Sequence, residues 1–226
     1  MAKEKNCVEQ FEQMLENAFP EKETIKSCLD KTTNDYRSLD PGRLLYIWAM
    51  NVPYKKRFDD EYIKLVYVTL KAWNMNSRGA KLHDYKDFSE SLQMNKNKFD
   101  RLQSIKIEDF DKIDINLLSD LFNDLKLSKT KSLLVTFAKT LHFFLPNLIV
   151  PIDRKFTLAF FDKENQWTFR SAKQQFSVFC NIESAFSKFI ATHDLSAYKD
   201  CEWNQNVPKI MDNLIIGHTL NSEMEA

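Results

Sequence analysis

The residues best placed to do chemistry lie in one stretch, Lys129 to Thr157, KTKSLLVTFAKTLHFFLPNLIVPIDRKFT. It supplies an amine (Lys139), an imidazole (His142), a carboxylate (Asp153) and a guanidinium (Arg154). The pattern around them reads as a buried helix, a proline-bounded turn and an aspartate opening the next helix. Lys139 lies six residues before the expected helix end at Leu145, about 9 Å of rise. The seven residues 146–152 can span about 23 Å extended, enough to return Asp153 to the level of Lys139. An amine and a carboxylate facing one cleft can serve as nucleophile and cation stabiliser.

Each of these groups also has a plainer use. Asp153 is well placed as the N-cap of its helix. A carboxylate there stays ionised, because free N–H groups and the helix dipole favour its charge. That suits it to stabilise a developing cation better than to act as a base near neutral pH. Lys139 could lay its stem along the core edge and keep its ammonium in water. His142 has no second His, Cys or Asp at ligand spacing, so no metal site is expected, and nothing points to a cofactor.

Further candidates lie in two other segments. The loop NMNSRGAKLHDY (74–85) has turn chemistry and carries Arg78. The segment WNQNVPKIMDNLIIGH (203–218) carries Trp203 and Asp212. With His142 and Arg154, these make the set of candidate substrate contacts. Lys209 and Asp212 are three apart, the spacing of a surface ion pair. Trp73, Trp167 and Trp203 sit near loops, where an aromatic ring stacks on a base or plugs the core edge.

Lys and Arg number 32 and Asp and Glu number 32, so the net charge gives no global argument for nucleic acid or membrane. Locally the balance shifts. Between Asp124 and Asp153 there are four lysines, Lys126, Lys129, Lys131 and Lys139, and no acid. With Arg170 and Lys173 they form either a solvated basic face or a surface for phosphates, compatible with double-stranded DNA as partner.

The elements that must position these groups are helical. Only three glycines and six prolines occur in 226 residues, too few for a turn-rich β protein, and 43% hydrophobic residues with eighteen Phe can fill a core. Helical periodicity appears over 6–19, 21–32, 40–51, 59–73, 84–96, 116–127, 129–145, 153–161, 171–193 and 207–216, with Gly217 as a C-terminal cap. Residues 1–5 are expected to fray, and 40–51, apolar on most faces, to be central. The fold class is therefore all-α: one compact multi-helix bundle over 1–226, compatible with two lobes, 1–114 and 115–218, flanking a cleft, and a tail at 219–226. Cys7, Cys28, Cys180 and Cys201 form no CxxC pair and read as reduced, mostly buried thiols. MAKEKNCVEQ has no apolar leader segment, and no run of 18 apolar residues exists, so a cytoplasmic protein without membrane spans is expected.

Two resemblances rest on these segments. AWNMNSRGAKL (72–82), AKTLHFFLPNLIVPIDRKFT (138–157) and WNQNVPKIMDNLIIG (203–217) resemble a group of bacterial all-helical proteins of about this length, a resemblance that implies no activity. The segment from Lys139 to Asp153 is similar to the helix-hairpin-helix DNA glycosylase superfamily. There a hairpin precedes a helix bearing a catalytic lysine, and a proline-containing turn leads to a catalytic aspartate at a helix start. The resemblance would give those roles to Lys139 and Asp153. The chain departs from that pattern in two ways. KLSKTKSLLVTFA stands where the glycine-rich hairpin would be and has no Gly, and the Lys-to-Asp interval is about one helical turn shorter. The resemblance implies a base-excision enzyme acting on a modified or damaged base in DNA. The alternative reading is a non-catalytic helical interaction or anion-binding protein.

Overall fold

The computed structural model describes residues 2–36, 40–75, 81–162, 169 and 171–224, with side chains described from Cys7 to Glu223. Eleven α-helices lie among the described residues: α1 (Ala2–Ala18), α2 (Lys22–Asp35), α3 (Pro41–Met50), α4 (Asp60–Ala72), α5 (Tyr85–Met94), α6 (Lys96–Leu102), α7 (Ile115–Asp124), α8 (Leu133–Phe144), α9 (Ala159–Phe161), α10 (Ala172–Thr192) and α11 (Val207–Met224). Short 3-10 turns at Tyr54–Lys56, Ile107–Lys112 and Leu195–Tyr198 and a π-turn at Arg154–Leu158 complete the set. The all-α class expected from composition is the class observed, and no sheet occurs among the described residues.

Local chemistry explains four of the helix starts. Asp40, Asp84, Asp114 and Ser171 each accept a backbone N–H of the first turn, from Gly42, Asp87, Asn116 and Gln174. Pro41 takes the first position of α3, where its missing N–H costs nothing. α8 is capped from outside. The Gln175 side chain on α10 accepts from Leu133 N (2.8 Å) and Leu134 N (3.0 Å) and donates to Lys131 O (2.7 Å). This helix starts four residues later than its apolar pattern suggests. Residues 127–129 instead pair with 81–83, through His83 N to Leu127 O at 3.1 Å and Lys129 N to Lys81 O at 2.7 Å.

α8 is the centre, buried on every face from Leu134 to Phe144. It packs against α4 and α10, while α1 lies on α10 and α2 on α11. One buried apolar cluster runs from Phe11 to Ile216 and includes rings of Phe88, Phe99, Phe143, Phe144, Phe179, Phe186 and Phe189.

Several expectations need correction. α1 begins at Ala2, so the segment expected to fray is helical. α3 is peripheral: Leu44 is 70% exposed and Trp48 64%, because only the side bearing Arg43, Tyr46 and Ala49 is covered. Asp153 is followed by a π-turn rather than a regular helix, with Leu158 N donating to Asp153 O at 2.9 Å. Gly217 is not a cap. α11 continues through it to Met224, across the stretch expected to be a tail. The glycine serves a close helix crossing, since a Cβ there would sit 1.9 Å from Cys28 O. The cysteines are less buried than expected: Cys28 is buried, Cys7 and Cys180 half-buried and Cys201 exposed, all as free thiols. No helix among the described residues is long and apolar enough to cross a membrane.

Candidate active site

Three elements bring charged groups to one cleft. α8 supplies Lys139 from its buried middle, and the strap 148–153 turns back from the helix end to present Asp153. α11 opens the other wall. Asn206 caps it, its Oδ1 accepting Lys209 N at 2.9 Å, and one turn later come Lys209 and Asp212. The aromatic residues come from the end of α4 (Trp73), the end of α2 (Tyr36), the π-turn (Phe156) and the loop before α11 (Trp203). Pro151 and Ile216 complete the lining. The enclosed room is about 40 Å³, and the void reaching through the mouth is about 400 Å³.

The geometry is two lysine–aspartate pairs in one space. Lys139 Nζ lies 2.5 Å from Asp153 Oδ2, and Lys209 Nζ lies 2.5 Å from Asp212 Oδ2. They differ in depth. The side chains of Lys139 and Asp153 are 9% and 27% exposed, those of Lys209 and Asp212 only 2% and 7%. The first pair therefore sits toward the mouth and the second at the floor. Lys209 is also caged by rings, 4.0 Å from the centroid of Trp203, 5.7 Å from Tyr46 and 5.9 Å from Trp73. Lys139 Nζ lies 5.8 Å from the Trp73 centroid.

The two carboxylates titrate in opposite directions. Burial pushes Asp153 up, but the charge and hydrogen bond of Lys139 and the N–H groups of Lys155 and Phe156 outweigh it, so its pKa is lowered. Lys155 N donates to Asp153 Oδ1 at 2.7 Å, the cap bond expected from sequence. For Asp212, burial dominates and its pKa is raised, against the opposing pull of Lys209 and Lys139 and with a further push from Asp153. The floor thus holds the more readily protonated carboxyl.

Behind the cleft a neutral network fixes the walls. His142 Nδ1 faces Ile149 O at 2.7 Å, a carbonyl that can only accept, so Nδ1 carries the proton. Its Nε2 then accepts from Tyr46 OH at 2.9 Å, and Tyr46 OH accepts from Asn206 Nδ2 at 3.1 Å. The Tyr46 ring stacks on His142 and Trp73 and meets Trp203 edge-on. Burial lowers the His142 pKa to about 3, with Lys209 and Arg57 adding to the effect and the Ile149 bond opposing it. His142 is therefore a neutral strut linking α3, α8, the strap and the start of α11. On the strap's other side, buried Glu183 of α10 accepts Val150 N at 3.2 Å.

Of the candidates read from sequence, Lys139, Asp153, Trp203 and Asp212 line the cleft. His142 lies one layer behind it. Arg154 follows Asp153 but is exposed and is not among the lining residues. Arg78 and Arg170 fall outside the described residues, as does Trp167. Lys126, Lys129, Lys131 and Lys173 are exposed and away from the lining, and Lys129 lies 3.3 Å from Asp84. Trp73, one of the aromatics read as lying near loops, also lines the cleft, whereas sequence reasoning missed Lys209 as a site residue, along with Tyr36 and Phe156. The signal for Lys209 was its setting: VPKIMDNLIIG is apolar on every side, so a helix made from it must be buried with its charges. Separately, His83, Asp84 and Asp87 group their ligand-type atoms within 4.8 Å, but Asp84 already caps Asp87 N and pairs with Lys129. Comparison of the chain with protein-family models, with curated proteins and with solved structures returned no match.

Proposed function

We propose that the chain is a base-excision enzyme of the DNA-glycosylase kind, acting on a modified or damaged base in double-stranded DNA. The observation that carries this reading is the 2.5 Å contact of Lys139 with Asp153 inside an aromatic-walled cleft. A nucleotide extruded from the duplex would place its base inward and its sugar at the mouth. As the bond from C1′ to the base nitrogen lengthens, positive charge develops on the sugar. Asp153, kept ionised by its partners, stabilises that charge. In hydrolysis, water supplies the new C1′–O bond and the base leaves with a proton. If the strand is also cleaved, Lys139 attacks instead: its ammonium first passes a proton to the departing base, and the lone pair so freed bonds to C1′ as the bond to the base breaks. The exposed lysines at 126, 129, 131 and 173 would hold phosphates.

The test is incubation of the protein with duplexes that each carry one damaged or modified base. Release of a base is expected, falling at least a hundredfold in Asp153→Asn. Where a Schiff base forms, borohydride should trap a covalent protein–DNA complex in the wild type and not in Lys139→Met. No release from any duplex, with no effect of Asp153→Asn, overturns the reading.

A second reading rests on a specific observation. Both lysines of the cleft already have an aspartate partner, as they would in a purely structural network. The chain would then bind nucleic acid or another anion through its exposed lysines, without chemistry. A salt-sensitive gel shift without base release identifies that case.

A further inference from the structure

We infer that Asp212 is the proton donor of the cleft in hydrolysis, and that the substrate is therefore a base with no charge of its own. The inference deepens the base-excision reading and rests on it. It starts from the hydrogen bonds of the two carboxyls. Asp153 has both oxygens engaged: Oδ2 accepts from Lys139 Nζ and Oδ1 from Lys155 N. A proton finds no free oxygen there. Asp212 accepts from Lys209 through Oδ2, and among the described residues nothing bonds its Oδ1. A carboxyl protonated on Oδ1 keeps the Lys209 bond and gains an O–H to donate. Neighbouring protons are committed elsewhere. His142 Nδ1 gives its proton to Ile149 O, Tyr46 OH gives its own to His142 Nε2, and Lys139 donates to Asp153.

Depth agrees with this division. Asp212 lines the floor with its side chain 7% exposed, where an inward base would lie, while Asp153 at 27% sits nearer the sugar. In the step, Asp212 passes its proton to a ring nitrogen or carbonyl oxygen of the base. The bond from C1′ to the base breaks, its electron pair stays with the base, and the base leaves neutral. Water bonds to C1′, and the proton it sheds returns through solvent to Asp212. The carboxylate formed meanwhile faces the Lys209 ammonium, which stabilises it. Burial raises the Asp212 pKa against the pull of Lys209 and Lys139, with Asp153 adding to the rise. A ring that expels water from the cleft raises it further. Two carboxyls pushed apart in this way divide into an acid and an ionised partner. A base that already carries a positive charge leaves neutral without any added proton, so it gains nothing from this donor.

The experiment uses the full chain and duplexes that each carry one altered base, neutral (hypoxanthine or uracil) or cationic (7-methylguanine). Wild type should release a neutral base, at least about a hundredfold more slowly in Asp212→Asn, and Asp212→Glu, which keeps an acid, should restore most of the rate. Any loss of 7-methylguanine release in Asp212→Asn should be at least about tenfold smaller. Heavy water should slow wild-type release of the neutral base and not of the cationic one. An equal loss for both kinds of base, or no loss for the neutral one, overturns the inference and leaves the base-excision reading in place. So does neutral-base release indifferent to heavy water, or release of 7-methylguanine alone. No release from any duplex overturns both.

Discussion

Lys209→Met tests whether the floor pair is a buried ion pair. Methionine keeps the length of the stem against Trp203, Tyr46 and Trp73 and removes the charge. Asp212 then loses its hydrogen-bond partner while 7% exposed, with Asp153 still in electrostatic reach. Leaving one charge of a buried pair unpaired costs about 3–5 kcal/mol. The carboxyl can escape by taking a proton, which sets a ceiling. An unfolded-state pKa of about 3.9 makes that cost about 4 kcal/mol at pH 7 and about 1.5 kcal/mol at pH 5. The sign follows from the direction: Asp212 is already raised in the folded state and rises further without Lys209, so the penalty is present at neutral pH and fades as pH falls. Loss of the ring contacts adds up to about 2 kcal/mol that does not depend on pH. Urea unfolding of wild type and variant at pH 5, 6 and 7 measures the difference. Lys209→Met with Asp212→Asn should recover most of the pH-dependent part, because a neutral amide replaces the stranded charge. A destabilisation below about 1 kcal/mol at pH 7, or one that stays level from pH 7 to pH 5, would refute the reasoning.

Three other outcomes follow from the same geometry. His142, with its pKa lowered to about 3, must gain a proton on unfolding, so stability should fall as pH drops from about 6.5 toward 3, by up to about 5 kcal/mol; thermal melts of His142→Gln should show a flatter profile over that window. Glu183 is pushed well above the ordinary carboxyl range by burial, against the Val150 N–H, so its ionisation opposes folding as pH rises; Glu183→Gln should gain stability relative to wild type as pH rises above the ordinary glutamate range, about 4.3. Gly217→Ala places a methyl 1.9 Å from Cys28 O and must separate α2 from α11, so a loss of at least about 2–3 kcal/mol is expected in chemical denaturation.

What the sequence disclosed follows chain connectivity. Lys139 and Asp153 were legible because a helix and a seven-residue return fix their separation, and the cap role of Asp153 depends only on its immediate neighbours. That α8 is buried was legible for the same local reason. Leu44 and Trp48 were misread because a ten-residue apolar helix looks central, whereas coverage depends on what packs beside it, and here only one side is covered. Gly217 was misread because a glycine that ends a helix and one that admits a neighbouring helix look alike, and the choice is set by Cys28, 189 positions earlier. Lys209 was misread because i,i+3 spacing is equally good for a solvated pair. Its burial comes from residues distant in sequence, the rings of Tyr46 and Trp73, together with Trp203.

The charge distribution divides any nucleic-acid interaction into two parts. The cleft holds two ammonium groups and two carboxylates, which sum to zero, so it has little means of drawing in a phosphate. A neutral base can enter it without leaving a charge unbalanced. On the base-excision proposal, Asp153 gains most when positive charge appears on the sugar, so its contribution grows toward the transition state rather than in the bound ground state. The attraction for the backbone must come instead from exposed lysines such as Lys126, Lys131 and Lys173, outside the lining. Those charges are screened over a Debye length of about 8 Å at physiological salt, whereas the buried pairs are screened far less. Salt should therefore weaken capture of the duplex steeply and leave the chemistry of a captured base nearly unchanged. That separation is what a neutral cleft, with the exposed lysines outside its lining, is physically able to provide.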